Sequence, residues 1–271
     1  MSPERILEGL SLKCGALGEN DRLLTLLSAE EGLVRLAVPG ARRPKSSLAA
    51  AVPLVLLRLQ VGGGRGLARV RQLTVARSYA NLAGRLEALA AAQSLAELAL
   101  QLVPSGEGVP GALDDLLMHL GRLETVVSER QGSLEALAIS VQAHVHLLAL
   151  GGYALPLQRC SRSGSALEPP LGDWSWRCSL LPAEGLVIGA VPGALLMLNA
   201  SELALLQRLT RPALPRTRAG ELMGPELVWL RLLQVIELWC GEHLDRRSRS
   251  LGLLRICFAP DHPLPPGAGR S

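Results

Sequence analysis

The chain has 271 residues, of which 48% are apolar and 19% charged, enough to fold as one large domain or two ordinary ones and to exclude wholesale disorder. Its net charge is only +4, and 3% of its residues are aromatic. The charge is unevenly distributed, because residues 1–80 carry +6, residues 81–207 carry −6 and residues 208–255 carry +4. A basic end beside an acidic middle predicts a polyanionic partner for the basic part.

The first 78 residues contain five short strand-like runs separated by glycine-rich turns. Val34, Leu36 and Val38 flank Arg35 in the alternation that is typical of a half-buried strand. Five strands in so short a segment predict a small closed β-barrel, for which the OB-fold is the commonest five-stranded solution. We expect this domain to occupy residues 1–80, with strands at residues 6–12, 22–27, 33–38, 54–61 and 67–77.

After residue 80 the chain becomes rich in alanine, leucine and glutamate at helical spacing. This pattern predicts a second, α-helical domain at residues 81–258, so that the whole chain is a two-domain α+β protein. A loop-rich insert is expected at residues 153–184, and the proline-rich tail at 259–271 is expected to be disordered. The predicted helices cover residues 82–103, 110–127, 134–150, 201–209 and 225–244.

The densest basic cluster, residues 40–45, follows the third predicted strand. Pro44 is expected to keep this segment extended and non-helical. Arginine suits a phosphate-binding loop because its planar guanidinium can contact phosphate with two hydrogen bonds. The alternative is a solvated basic loop without a ligand. The predicted phosphate-binding residues are Arg42, Arg43 and Lys45, extended by Arg35, Arg65, Arg69 and Arg71, of which the last two share a strand face at period two.

Residues 1–78 contain no phenylalanine, tyrosine or tryptophan. The barrel therefore lacks the aromatic platform on which single-strand binders stack bases. Any nucleic acid bound there is expected to be held by its backbone, with little sequence preference. With about five phosphate contacts on a single strand, affinity should fall about 100-fold between about 50 and 200 mM salt.

The predicted insert contains Cys160 and Cys178, whose flanking residues resemble the knuckles of a zinc ribbon. A zinc ribbon needs two CxxC pairs, but Ser163 and Leu181 occupy the second positions here. With two thiols of four, zinc is not expected, and no other cofactor is predicted. The two cysteines are interpreted as remnant knuckles, held by the packing of Trp174 and Trp176.

Motifs of catalysis and of targeting are missing from the sequence. The glycine run at residues 62–66 lacks the Lys-Ser/Thr pair of a P-loop, and Asp114-Asp115 is interpreted as the acidic first turn of a helix. His144 and His146 lie two residues apart and hence on different helix faces. Since catalytic motifs are missing, the protein is not expected to be an enzyme. It has no signal peptide or membrane span, and its five cysteines include no CxxC pair, so it is predicted to be cytoplasmic.

Three segments resemble the N-terminal region of the RecO family, the bacterial recombination mediators of the RecF pathway: Glu8-Gly9, residues 18–22 and residues 40–46. The resemblance implies an OB-fold domain followed by a helical domain, whose insert carries a two-knuckle zinc ribbon and which closes with a helical segment at 237–249. The halved cysteine motif departs from this pattern, so the insert is described as a degenerate zinc ribbon.

Proteins of this family bind single- and double-stranded DNA and anneal complementary strands. With RecR they help RecA to displace single-strand-binding protein (SSB). The resemblance therefore implies DNA as a ligand, RecR as a partner with RecF as a further candidate, contact with the SSB C-terminal tail, and a nucleoid-associated location. It assigns DNA binding to the basic barrel surface, which carries over to Arg42, Arg43 and Lys45 and extends to Arg35, Arg65, Arg69 and Arg71.

Two other functions remain open at this point. In the first, the protein is an adaptor whose helical domain docks an acidic, SSB-type tail while the barrel is mainly structural. In the second, it is an RNA-binding OB protein of the translation apparatus. The residues predicted to face an acidic tail are Arg211, Arg216, Arg218, Arg246 and Arg247.

Overall fold

The computed structural model of the protein describes residues 4–63 and 66–259. Five strands come first, followed by a 3₁₀ helix (Ala80–Gly84), three α-helices, three short strands and three further α-helices. In chain order the strands and α-helices are β1 (Arg5–Leu17), β2 (Asp21–Ser28), β3 (Gly32–Val38), β4 (Val55–Gly62), β5 (Arg69–Ser78), α1 (Leu86–Leu102), α2 (Ala112–Ser128), α3 (Ser133–Leu150), β6 (Cys178–Leu181), β7 (Gly185–Ile188), β8 (Leu196–Leu198), α4 (Ala200–Arg208), α5 (Glu226–His243) and α6 (Arg249–Ile256).

Strands β1–β5 form a closed barrel in the order β1-β2-β3-β5-β4, with β4 pairing back onto β1. All pairs are antiparallel except the short parallel contact between Ala37 of β3 and Arg69 of β5. This is the OB-fold arrangement, and the predicted α+β fold is confirmed. Leu57, Leu59 and Val61 alternate along β4 and are buried inside the barrel, as period-two patterning requires.

The helical part packs around α3, most of whose residues are buried. By length and composition α3 is apolar enough to cross a membrane, but 67% of it is buried against the rest of the protein. It is therefore the central helix of a protein core. Apolar residues of α1, α2, α5 and α6 complete the same core, and Leu10, Leu12 and Leu54 of the barrel join it from outside.

Two predicted helix boundaries are wrong, and side-chain contacts explain both. The first helix begins at Leu86 because Arg85 is extended and donates from its guanidinium to Ser133 Oγ at 2.9 Å. The predicted segment 237–249 is not one helix, since α5 ends at His243. α6 begins after Ser248, whose Oγ accepts a hydrogen bond from Leu251 N.

The predicted loop-rich insert at 153–184 ends in the first strand, β6, of a small antiparallel sheet in the order β7-β6-β8. The boundary at residue 184 falls inside the β6–β7 hairpin, so the insert continues into the following segment. Cys178 begins β6, which means that residues 178–181 are a strand and the second remnant knuckle is wrong. The sheet was missed because its strands have three or four residues, too few to show a period.

Cys160 and Cys178 do not fit a zinc ribbon. Burial raises the pKa of the Cys160 thiol, but hydrogen bonds from Ser163 and from backbone amides lower it to about 7. Burial and the neighbouring Cys160 raise the pKa of Cys178 to about 12. All five cysteines are free. Ser163 and Leu181 occupy the other two knuckle positions, so the predicted knuckles supply two thiols of the four that a tetrahedral thiolate site needs.

The predicted packing of Trp174 is also wrong. Its side chain is 83% exposed, at the tip of a turn in which Asp173 accepts hydrogen bonds from the amides of Ser175 and Trp176. Trp176 is partly buried against the helical core. Only one of the two tryptophans therefore helps to hold the insert.

The barrel and the helical part meet at the β2–β3 hairpin. Leu33 N donates to Pro104 O at 2.9 Å, and Gly32 has a φ of +62°. A Cβ atom at Gly32 would lie 2.2 Å from Glu107 O and 2.4 Å from Pro104 O. Glycine is required here because both the left-handed conformation and the close approach of two backbones exclude a side chain.

Candidate nucleic-acid interface

The segment between β3 and β4 is a series of tight turns, so the expected extended conformation is wrong. Backbone hydrogen bonds of the i+3 to i type recur along it, as from Arg43 N to Gly40 O and from Ser46 N to Arg43 O. Lys45 takes a left-handed conformation, with a φ of 58°. The loop folds back because Ala41, Leu48 and Ala51 insert into the barrel core, which leaves the charged residues outside.

Three hydrogen bonds fix the basic loop against the β1–β2 turn. Gly40 N donates to Asp21 Oδ1 at 2.8 Å, and Arg42 N donates to Asn20 O at 2.9 Å. The Arg42 guanidinium reaches Gly18 O at 3.2 Å. The cations therefore stand beside the β1–β2 turn.

The start of β5 reaches the same end of the barrel. Ala37 N donates to Ala68 O at 2.9 Å, and Ala37 pairs with Arg69, whose side chain is exposed. The β1–β2 turn, the β3–β4 loop and the end of the β4–β5 connection thus converge. In OB-folds the face of strands 2 and 3 and the β1–β2 and β4–β5 loops bind oligonucleotides and oligosaccharides.

A row of paired residues crosses the outer face of the barrel next to these loops. Lys13 of β1 pairs with Thr25 of β2, which pairs with Arg35 of β3. Lys13 and Arg35 are exposed, and their Cα atoms are about 10 Å apart, two interstrand steps. Lys13 was not predicted, although counting back from the two hairpin turns would have placed it opposite Thr25.

Two further predicted residues are Arg71 and Arg65. Arg71 is the extra residue of a β-bulge in β5, but it and Arg69 still flank the buried Val70 and share one exposed face, as predicted. Its Nε lies 3.8 Å from the Cβ position of Gly62 on β4, beside the side chain of Glu4. Arg65 lies outside the described residues.

We refer to six residues together as the basic surface. All six are exposed, and none forms an ion pair with the residues that the structure describes. By contrast, Arg77 of β5 is bound to Glu124 at 2.7 Å. Unpaired, exposed cations can accept an anion without first breaking an internal ion pair. The basic surface consists of Lys13, Arg35, Arg42, Arg43, Lys45 and Arg69.

The arginines predicted to face an acidic tail fall into two groups. Arg216 forms two hydrogen bonds to Glu135, at the start of α3. Arg246 N donates a hydrogen bond to the side chain of Gln101 at the end of α1. This end of α1 lies beside the other end of α3, because Leu102 packs against Gly151.

These two ends of α3 are about 24 Å apart. Arg211 and Arg218 belong to the exposed segment around Arg216, whereas Arg247 follows Arg246. The structure therefore does not assemble the five arginines into one site.

The sequence matches two models of one known protein family over nearly the whole chain. Residues 1–79 match the family model "Recombination protein O N terminal", and residues 83–252 match "Recombination protein O C terminal". The chain belongs to the RecO family. The first match covers the barrel and the second covers the helices and the small sheet, which assigns the chain to DNA repair and recombination.

Curated relatives extend over the same length. "DNA repair protein RecO" of Prochlorococcus marinus (strain MIT 9303) is 66% identical over 94% of this chain and 96% of its own. The protein of that name in Synechococcus sp. (strain WH7803) is 63% identical over 96% of each chain. That in Cyanothece sp. (strain PCC 7425 / ATCC 29141) is 32% identical over 94% of this chain and 96% of its own. The resemblance seen in the N-terminal sequence therefore extends through the helical part.

Proposed function

We propose that this RecO-family chain binds single- and double-stranded DNA through the phosphate backbone, using the basic surface, and anneals complementary strands. The observation that carries the proposal is the convergence of six exposed cations, without ion pairs to the described residues, at the loops and strand face that OB-folds use for oligonucleotides. Repair and recombination proteins act on DNA, so the family supports the same ligand.

Annealing needs no catalytic residue in this proposal. Two strands repel each other through their phosphates, and a surface that neutralises phosphates lowers this repulsion. Because the barrel has no aromatic side chain to stack on the bases, their pairing edges and faces remain available to the complementary strand. We further propose that, with RecR, the protein assists loading of RecA onto SSB-coated DNA, and that it has no enzymatic turnover.

The test is the rate at which complementary oligonucleotides anneal, naked and SSB-coated, with the full chain. The protein should accelerate both reactions, and Arg42→Ala/Arg43→Ala/Lys45→Ala should lose most of the acceleration. Arg208→Ala/Arg211→Ala/Arg218→Ala removes the same number of charges from the helical part and serves as the matched control. No acceleration on either substrate would overturn the proposal.

A second candidate function is docking of an acidic SSB-type tail on the helical part. One groove between α5 and α6 favours it, because Leu195, Leu238 and Leu251 line the groove and Arg247 stands at its edge. An acidic peptide with an apolar end matches both features, although Glu237 and Glu242 also line the groove and oppose it.

Titration of the SSB tail peptide into the full chain tests this docking. Arg247→Ala should weaken peptide binding without changing DNA binding. Arg216→Ala is the control, since Arg216 is bound to Glu135 at a distant position. Equal peptide affinities for all three chains would exclude the groove.

A further inference from the structure

Three metal-ligating side chains outside the basic surface meet between α2 and α3. Asp115 and His119 lie one turn apart on α2, and His146 projects from α3. Asp115 was predicted only as an acidic residue of a helix start, and His146 only as facing away from His144. The fold joins them because α2 and α3 pack side by side.

The distances between the three ligand atoms match the edges of a metal coordination tetrahedron. His119 Nε2 and His146 Nδ1 are 3.2 Å apart. Asp115 Oδ1 lies 3.5 Å from His146 Nδ1 and 3.7 Å from His119 Nε2. Nitrogen and oxygen ligands at about 2.0–2.2 Å from a tetrahedral Zn²⁺ are separated by about 3.3–3.6 Å.

The second nitrogen of His146 is oriented as a metal-binding histidine requires. Its Nε2 lies 2.8 Å from Leu209 O, to which it donates. Nδ1 is then the unprotonated nitrogen, and it points towards Asp115 and His119. A backbone carbonyl that fixes the tautomer in this way is the usual outer partner of a metal-bound histidine.

Asp115 provides an independent indication. Its Oδ2 is buried and has no hydrogen-bond partner in the described structure. A buried carboxylate oxygen without a partner is costly, and a bound ion is one of the few ways to satisfy it. His119 is completely buried, whereas the Asp115 and His146 side chains are 16% and 15% exposed, so water can reach one side of the cluster.

Arg122 is the cation that faces the cluster. Its Nη1 lies 3.4 Å from His119 Nδ1 and 2.7 Å from Gln142 Oε1. For His119 Nε2 to bind a metal, its proton must move to Nδ1, where it would face Arg122. Arg122 keeps its shorter bond to Gln142 when the His119 contact is lost, so this shift lowers the affinity without blocking the site.

We propose that Asp115, His119 and His146 bind a divalent transition metal of the Zn²⁺ type, with water as the fourth ligand. Two imidazoles and one carboxylate are the donor set that Zn²⁺ accepts in three-ligand protein sites. The ion would fasten α2 to α3 and, through His146, to the segment after α4. This site is separate from the basic surface and does not depend on DNA binding.

The experiment uses the full chain without an affinity tag, stripped with chelator and titrated with Zn²⁺ and with Co²⁺. We expect one saturating equivalent, a rise in melting temperature, and a Co²⁺ spectrum without the near-ultraviolet band of thiolate ligation. Asp115→Asn and His146→Gln should each lower affinity by more than about 100-fold, since loss of an outer-shell partner alone costs about 10–100-fold.

Two control chains make the result specific. His243→Gln removes a histidine that also contacts a backbone carbonyl, Pro182 O, but lies outside the cluster. Cys160→Ser/Cys178→Ser removes the thiols of the insert. Both should bind one equivalent as the parent does. The proposal is overturned if no saturable binding occurs, if folded Asp115→Asn and His146→Gln bind with unchanged affinity, or if the cysteine variant loses the site.

Discussion

Replacing Arg42, Arg43 and Lys45 together by alanine removes half of the six cations of the basic surface. All three side chains are exposed. The only side-chain hydrogen bond among them that the described structure contains is the one from Arg42 to Gly18 O. The turn structure of the loop is held by backbone bonds and by buried alanines and Leu48, so the variant should keep its fold.

The magnitude follows from the release of counterions. Each phosphate neutralised on a single strand contributes about −0.7 to the slope of log affinity against log salt. With about five contacts the slope is about −3.5, and affinity falls about 100-fold between about 50 and 200 mM salt. With about two contacts left, the slope is about −1.4 and the fall is only about 7-fold.

The assay is fluorescence anisotropy of a labelled single-stranded oligonucleotide, titrated with each chain at several salt concentrations. The matched control Arg208→Ala/Arg211→Ala/Arg218→Ala has the same change in net charge and should keep the parent's slope of log affinity against log salt. A general electrostatic effect would instead make the slopes of both triple variants equally shallow. A triple variant of the loop with the parent's affinity and slope would refute the assignment of phosphate contacts to these residues.

Two further predictions concern the stability of the fold. Gly32→Ala should lower the free energy of unfolding by at least about 2 kcal/mol, because alanine is strained at a φ of +62° and its Cβ would meet two backbone oxygens. Urea unfolding of this variant and of the control Gly15→Ala, whose Cβ position is open, measures the effect, and equal stabilities would disprove the close approach. Burial lowers the pKa of His144 in the folded protein from 6.5 to about 4. Because the unfolded chain takes up this proton below about pH 6.5 and the folded protein does not, the free energy of unfolding should fall by about 2 kcal/mol between about pH 7 and 5. His144→Leu should lack this component, and parallel stability profiles against pH for the two chains would contradict it.

The sequence was sufficient for the barrel and for most helices because both depend on local periodicity. Leu57, Leu59 and Val61 lie at alternate positions of β4, and the pleat of the strand turns all three into the barrel. The β6–β8 sheet was not predictable in this way, since its strands are too short for any pattern. The break between α5 and α6 depends on Glu97 of α1, which accepts hydrogen bonds from Ser248 and Ser250 across the fold.

The site was predictable in its charges but not in its geometry. Arg42, Arg43 and Lys45 were predicted from the cluster of positive charges at residues 40–45. The position of Arg71 beside Glu4 depends on the pairing of β4 with β5, and the inclusion of Lys13 required the strand register. The cluster of Asp115, His119 and His146 depends on the packing of two helices, which no spacing within one helix reveals.

The central claim is that DNA is held by its phosphates and not by its bases. The most direct measurement compares the affinity of the full chain for a single strand with its affinity for an abasic strand of equal length. The account predicts equal affinities within about 3-fold, because stacking of even one base contributes about 1–3 kcal/mol and the barrel has no aromatic side chain to provide it. Trp174→Ala removes an exposed tryptophan outside the barrel that could stack on a base. If this variant also binds the abasic strand more than about 10-fold more weakly than the normal strand, phosphate-directed binding by the barrel is contradicted.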